Sequence, residues 1–117
     1  MHYHPGTHII ATLYTRHPHK IERYELFQQM TNQLIAEHNL QKLGEVYHNF
    51  KPAGFTGVVC LSESHLSVHT WPEYGKVNID IYLSNHLRTN DDTVNHLYNT
   101  IKDYLEATVE NEQLLKR

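Results

Sequence analysis

Apolar and polar positions alternate along this chain in short runs of changing period. Residues 7–15 (THIIATLYT) are rich in β-branched side chains and read as a strand. His17-Pro18-His19 breaks the pattern, and from Lys20 to His38 the apolar residues Ile21, Tyr24, Phe27, Met30, Leu34 and Ile35 recur at helical spacing. Residues 43–50 read as a strand, Lys51-Pro52-Ala53-Gly54 as a turn, 55–62 and 64–71 as two more strands, and Pro72-Glu73-Tyr74-Gly75 as a second turn. From Lys76 to Ser84 the alternation is clean, with Val77, Ile79, Ile81 and Leu83 on one side and Asn78, Asp80, Tyr82 and Ser84 on the other. Residues 89–92 (TNDD) are helix-capping material, and Val94, Leu97, Tyr98, Ile101 and Leu105 mark a second amphipathic helix. A short strand near 107–115 closes the pattern.

The order β-α-β-β-β-β-α-β, with one apolar face per helix and one on the sheet, predicts an α+β two-layer sandwich. Its antiparallel-rich sheet carries both helices on one face. No repeat, low-complexity tract or linker interrupts the chain, so residues 1–117 read as a single domain. The opposite face of the sheet is the informative one. In 64–71 the alternation sets His65, Ser67 and His69 against Leu66 and Val68. If this strand pairs with 76–84, polar sides together, then histidines, hydroxyls and a carboxylate share a surface. An ordinary solvated sheet face produces the same pattern.

Composition narrows the classes. Ten basic and thirteen acidic residues leave a net charge of −3 with no Lys/Arg stripe, which argues against a nucleic-acid partner. No apolar run approaches membrane-spanning length, and the first residues lack the basic and apolar regions of a signal peptide, so no membrane is expected and the cytoplasm is the default. The one cysteine, Cys60, excludes an intramolecular disulfide and a cysteine-rich zinc site. Eight tyrosines and a 39% hydrophobic fraction are compatible with a dimer interface. Eleven histidines are the outlier. The pairs His2/His4 and His17/His19 could ligate a metal, but no H-E-x-x-H pattern accompanies them, and no metal is expected.

A specific signal lies in residues 54–75, GFTGVVCLSESHLSVHTWPEYG. Ser62-Glu63-Ser64-His65 followed by His69-Thr70-Trp71-Pro72-Glu73-Tyr74-Gly75 resembles the processing and active-site segment of the prokaryotic S-adenosylmethionine decarboxylase proenzymes. The resemblance extends to G-T-H-I-I at 6–10, Y-H-N-F-K-P at 47–52 and L-L-K-R at 114–117. It therefore covers essentially the whole chain, most tightly at 46–84.

The resemblance implies a self-cleaving pyruvoyl enzyme. The Ser64 hydroxyl would attack the Glu63 carbonyl to give an ester. β-Elimination and hydrolysis would then leave a β chain of residues 1–63 and an α chain of 64–117 capped by a pyruvoyl group derived from Ser64. Serine needs a base and an activated carbonyl for such a step. Thr56 occupies the family's processing-serine position, and His69 matches the histidine of the elimination step. Phe50 matches the aromatic that stacks on adenine, and Glu73 the carboxylate that binds the ribose hydroxyls. The pyruvoyl ketone would form a Schiff base with the substrate amine and accept electrons as CO2 leaves. The product would supply an aminopropyl donor for spermidine biosynthesis. The processed αβ units would pair as a homodimer.

One position departs from the pattern. Ser84 stands where the family carries the cysteine that reprotonates the substrate carbon. A thiol titrates near pH 8.5 and an aliphatic hydroxyl is far less acidic, so Ser84 is a poor direct replacement. Another donor, such as His69, Tyr82 or water, would then serve. The chain accordingly reads as an S-adenosylmethionine decarboxylase, with a diverged arginine or ornithine decarboxylase, a non-catalytic homologue and a histidine-rich metal-binding module as the alternatives.

Overall fold

The structure is a computed structural model that describes residues 3–117; His2, read above as half of a histidine pair, lies outside them. Strand β1 (Thr7–Thr15) leads through a 3-10 turn (Pro18–Ile21) to helix α1 (Glu25–Glu37). Strands β2 (Lys42–Asn49), β3 (Phe55–Leu61) and β4 (Ser64–Trp71) follow. A second 3-10 turn (Pro72–Tyr74) joins β4 to β5 (Lys76–Leu83), and α2 (Asp91–Leu105) and β6 (Ala107–Lys116) complete the order. The six strands form one sheet, β2-β3-β4-β5-β1-β6, and every neighbouring pair is antiparallel. The expected order and architecture hold, and the strand ends fall within one residue of the expected ones.

Alternation explains the layering. Ile9, Ala11 and Leu13 of β1, Leu66 and Val68 of β4, and Val77, Ile79, Ile81 and Leu83 of β5 are buried in one cluster. Phe27, Leu34 and Ile35 of α1 and Val94, Leu97, Tyr98, Ile101 and Leu105 of α2 join the same cluster. Both helices therefore cover one face, where removal of apolar area from water stabilises the pairing.

The first helix begins later than its apolar spacing predicts. Pro18 and Ile21 belong to the 3-10 turn, and the helix starts only at Glu25. The carbonyls of Ile21 and Glu22 accept hydrogen bonds from the Thr70 hydroxyl (2.8 Å) and the Gly54 amide (2.8 Å). A helix running from Lys20 would need those carbonyls for its own amides. The segment instead ties the helix layer to the open end of the β3–β4 hairpin, opposite its Ser62–Glu63 turn.

Ile81 sits fully buried between Ile9 and Leu66 on the neighbouring strands. Replacing it with alanine is expected to lower stability by about 2–5 kcal/mol, through lost burial plus an uncollapsed cavity. Urea denaturation followed by circular dichroism measures the change.

Candidate active site

The β3–β4 hairpin turns through only Ser62 and Glu63, with Leu61 paired to Ser64. Glu63 is buried although it is a carboxylate in a turn. Arg88 explains this, donating through Nε to Oε1 (3.1 Å) and through Nη2 to Oε2 (2.9 Å), a two-point grip suited to a carboxylate. The same Nη2 donates to the carbonyls of His38 (3.3 Å) and Asn39 (3.0 Å), which fixes the guanidinium against the end of α1. Asn90 Nδ2 donates to Glu63 Oε1 (2.9 Å) and to the Ser84 carbonyl (2.8 Å). Arg88 above all, then Asn90, holds the Glu63 carboxyl below the usual carboxylate range against the opposing effect of burial.

The backbone of this turn is equally constrained. The Ser84 amide donates to the Glu63 carbonyl oxygen at 2.8 Å. Ser64 has φ of +150°, in a region that side-chain-bearing residues rarely adopt, which costs on the order of 1–3 kcal/mol. The Glu63–Ser64 peptide therefore joins a polarised carbonyl to a strained residue.

Beside Ser64 the outer face of the sheet carries a row of polar groups. His65 pairs across strands with Tyr82, and Ser67 with Asp80, so the expected meeting of polar sides is realised. Asp80 Oδ1 lies 3.1 Å from His65 Nε2 and 2.5 Å from His8 Nε2. Ser64 Oγ lies 3.4 Å from His65 Nδ1. His8, His65 and Asp80 form the grouping with metal-ligand proximity among the described residues, and their mutual hydrogen bonds account for it. His17 and His19, noted above only as a pair that could ligate, are not in that grouping: their rings meet edge to face, and His17 Nε2 faces Glu106 (3.2 Å). His4 is exposed, and Cys60 is a free, exposed thiol on β3.

The remaining expected residues gather elsewhere. Thr56 Oγ1 and His69 Nδ1 are 2.5 Å apart across β3 and β4. They line a cleft of about 530 Å³ with Phe50, Phe55, Trp71 and Glu73. Gly54 shapes its rim: φ of +102° and a Cβ position only 3.2 Å from the Thr70 carbonyl exclude a side chain, while its own carbonyl accepts the Phe50 amide (2.8 Å). Phe50 is half exposed and Glu73 exposed, so an aromatic face and a carboxylate stand open to a ligand. A cleft of about 600 Å³ beside His19, Arg23 and Tyr104 is lined by none of residues 54–75.

His69 and Thr56, the expected processing residues, do not lie beside Ser64 of the same chain: His69 is five residues further along the same extended strand, about 16 Å away at the usual rise. Ser64 and Ser84 occupy one end of β4 and the Thr56–His69 cleft the other. Within one chain the two halves do not meet. Sequence reasoning set Asp80 on the polar face beside the histidines without naming a role for it, and gave Arg88, Asn90 and His8 no part in the site. The signal available was Asn90 within a run read as capping material: it stands at the helix N-cap, but its side chain makes no capping bond and turns to Glu63 instead. Tyr82, considered as a proton donor, has its hydroxyl at Tyr3 (3.4 Å) and the Arg117 carbonyl (3.1 Å), and the Tyr3 contact above all raises its pKa.

Comparison with known proteins places this geometry. A family model described as S-adenosylmethionine decarboxylase matches residues 7–117. The S-adenosylmethionine decarboxylase proenzyme of Archaeoglobus fulgidus is 46% identical over 77 residues, which span 66% of this chain and 69% of that protein. The proenzyme of Thermoplasma volcanium is 40% identical over 97 residues, covering 83% of this chain and 75% of its own. The matched segment spans 57% of the Aquifex aeolicus proenzyme, at 44% identity. The crystal structure of the adenosylmethionine decarboxylase from Aquifex aeolicus superposes with a TM-score of 0.85 at 32% identity, over 99% of this chain and 92% of that one.

The Glu63 grip generates a test. Arg88→Ala leaves a buried carboxylate short of its main partner and is expected to cost about 1–3 kcal/mol. Because the folded-state pKa is lowered, the Arg88 contribution is present above the ordinary carboxylate range and is lost as pH falls through the folded value. The wild-type and R88A stabilities should therefore converge in acid, as measured by urea titrations at a series of pH values.

Proposed function

The chain belongs to the S-adenosylmethionine decarboxylase family, and from that premise we propose that it is a self-processing, pyruvoyl-dependent S-adenosylmethionine decarboxylase. The observation that carries the reading is the Glu63–Ser64 junction, where a hydroxyl-bearing residue at φ +150° follows a carbonyl held by the Ser84 amide. Residues 1–117 act as one decarboxylase domain, cut between 63 and 64 into a β chain of 1–63 and an α chain of 64–117. Attack by Ser64 Oγ on the Glu63 carbonyl builds negative charge on the oxygen facing the Ser84 amide, an arrangement that stabilises oxyanions. Strain at Ser64 raises the amide towards the ester it becomes. The proenzyme designation of the relatives supports the same reading.

The backbone amide carries this role whatever side chain residue 84 bears. The loss of a thiol at Ser84 thus spares processing and bears on turnover alone. The pyruvoyl group derived from Ser64 supplies an electron-accepting carbonyl for the substrate amine and the departing CO2. Phe50 offers a face for stacking adenine, and Glu73 an acceptor for ribose hydroxyls. The product is an aminopropyl donor for spermidine biosynthesis, and the compartment is the cytoplasm. Among the described residues, no helix is long and apolar enough to cross a membrane.

The working unit is a homodimer of processed αβ units. A ligand seated between Phe50 and Glu73 cannot reach Ser64 of the same chain, about 16 Å along β4. A two-fold axis that runs the β4 strands of two copies antiparallel sets each Ser64 end against the partner's cleft. The exposed apolar side chains of the outer face, Ile10, Val58 and Trp71, suit that contact. His69, with Thr56 on its Nδ1, is then placed for the elimination step at the partner's Ser64.

Intact-mass spectrometry tests processing: the wild type should yield two fragments split at Glu63–Ser64, the second without a free amino terminus, and Ser64→Ala one uncut chain. An uncut wild-type chain under all conditions overturns the reading. Co-expressing Ser64→Ala with His69→Ala should restore cleavage in half of the hybrid sites, because one copy supplies Ser64 and the other His69. CO2 release from S-adenosylmethionine should exceed that from arginine or ornithine. Ser84→Cys should raise turnover on S-adenosylmethionine or lower faulty protonation, as read by product analysis, while leaving the extent of cleavage unchanged.

A further inference from the structure

We infer that His65, oriented by Asp80, is the base that takes the Ser64 hydroxyl proton in the first step of self-cleavage. The inference rests on the self-processing reading and adds a residue and a direction to it. Asp80 accepts hydrogen bonds only, so the ring nitrogens that face its Oδ1, Nε2 of His65 (3.1 Å) and Nε2 of His8, carry hydrogen. In the neutral tautomer so fixed, His65 Nδ1 bears a lone pair, and it faces Ser64 Oγ at 3.4 Å. His8 obeys the same logic, because its Nδ1 faces Nη1 of Arg117, which can only donate (3.4 Å). Hydroxyl, imidazole and carboxylate thus stand in the order that activates a serine, and catalytic hydrogen bonds are commonly long before reaction.

The other groups around His65 do not compete for that role. Cys60 lies opposite on β3 and Tyr82 opposite on β5. The Tyr82 hydroxyl is directed to the Arg117 carbonyl. His8 is buried and its ring meets that of His65 edge to face. Among the described residues, Asp80 is the one carboxylate hydrogen-bonded to the pair. His69, the other histidine of the motif, lies at the far end of β4 with Nδ1 engaged by Thr56.

The step balances without a co-reactant. The Ser64 Oγ–H proton passes to His65 Nδ1 while an oxygen lone pair bonds to the Glu63 carbonyl carbon. The carbonyl π pair moves onto the oxygen held by the Ser84 amide. As that pair returns, the C–N bond breaks, its electrons stay on the Ser64 nitrogen, and the proton on His65 passes to that nitrogen. An amide has become an ester, the imidazole is regenerated, and no water is consumed. The acyl shift therefore runs within one chain, and only the later elimination calls on the partner copy.

His65→Asn separates this role from a structural one, since its Oδ1 can accept the serine hydrogen bond near the Nδ1 position but is not a base. H65N should cleave at least 100-fold more slowly than the wild type. Hydroxylamine, which cuts esters and not ordinary amides, should leave H65N uncut, whereas His69→Ala should accumulate the ester and be cut at 63. Added imidazole should speed cleavage of His65→Ala. Asp80→Asn, which keeps the shape of the side chain, should slow cleavage and likewise leave no hydroxylamine-sensitive ester. Where H65N is unfolded by circular dichroism, D80N decides. Wild-type cleavage rates in H65N or D80N, or ready cutting of folded H65N by hydroxylamine, would overturn the role of His65 and leave self-processing standing. A wild-type chain that never cleaves would instead overturn self-processing.

Discussion

Side chains on a strand point alternately to the two faces of its sheet, and this protein keeps that alternation in register across β3, β4, β5 and β1. Both helices lie on one face and bury its apolar residues in a single cluster. A slip of β4 by one residue against its neighbours would exchange Leu66 and Val68 for His65 and Ser67 in the core. The burial of one face therefore fixes the placement of the other. His8, His65, Ser67, Asp80 and Tyr82 are neighbours on the outer face because their sequence neighbours are locked inside.

The Glu63–Ser64 peptide depends on this lock from a distance. Ser84 follows directly on β5, so the buried ladder of that strand aims its amide at the Glu63 carbonyl. Arg88 and Asn90 lie between β5 and α2, and through Glu63 they hold a two-residue turn that would otherwise be free to relax. Strain at one φ angle persists only where the surroundings over-determine it. Here a salt-bridged carboxylate, a ladder amide and an asparagine shared between the two supply that constraint.

Most of the fold was legible because period two and period three-and-a-half are written directly in the positions of apolar residues, as in Val77 to Leu83 and Val94 to Leu105. The start of α1 was not, since the carbonyls of Ile21 and Glu22 are claimed by Thr70 and Gly54, partners far away in sequence. The candidate site divided in the same way. Its residue types were readable in the motif, and Thr56 does meet His69. Their distance from Ser64 was hidden by the very compactness of that motif. Five residues look adjacent in a sequence, yet they span more than twice the length as a strand that they would as a helix. Arg88 carries no pattern of its own and takes its meaning from the turn, while alternation put Asp80 on the polar face and only the diagonal contacts of the sheet join it to His65 and His8.

The strand order has a consequence for what would become of the chain once cut at the proposed Glu63–Ser64 junction. The segment before residue 64 supplies β2, β3 and β1, while the segment after it supplies β4, β5 and β6. In the sheet these run β2-β3-β4-β5-β1-β6, so β1 of the first piece is inserted between β5 and β6 of the second. Three separate ladders, β3 with β4, β1 with β5 and β1 with β6, stitch the pieces together. Cutting the covalent chain at the β3–β4 turn removes no ladder at all. The two polypeptides of a chain processed as proposed would be woven rather than docked, and neither could leave without unravelling the sheet that both share.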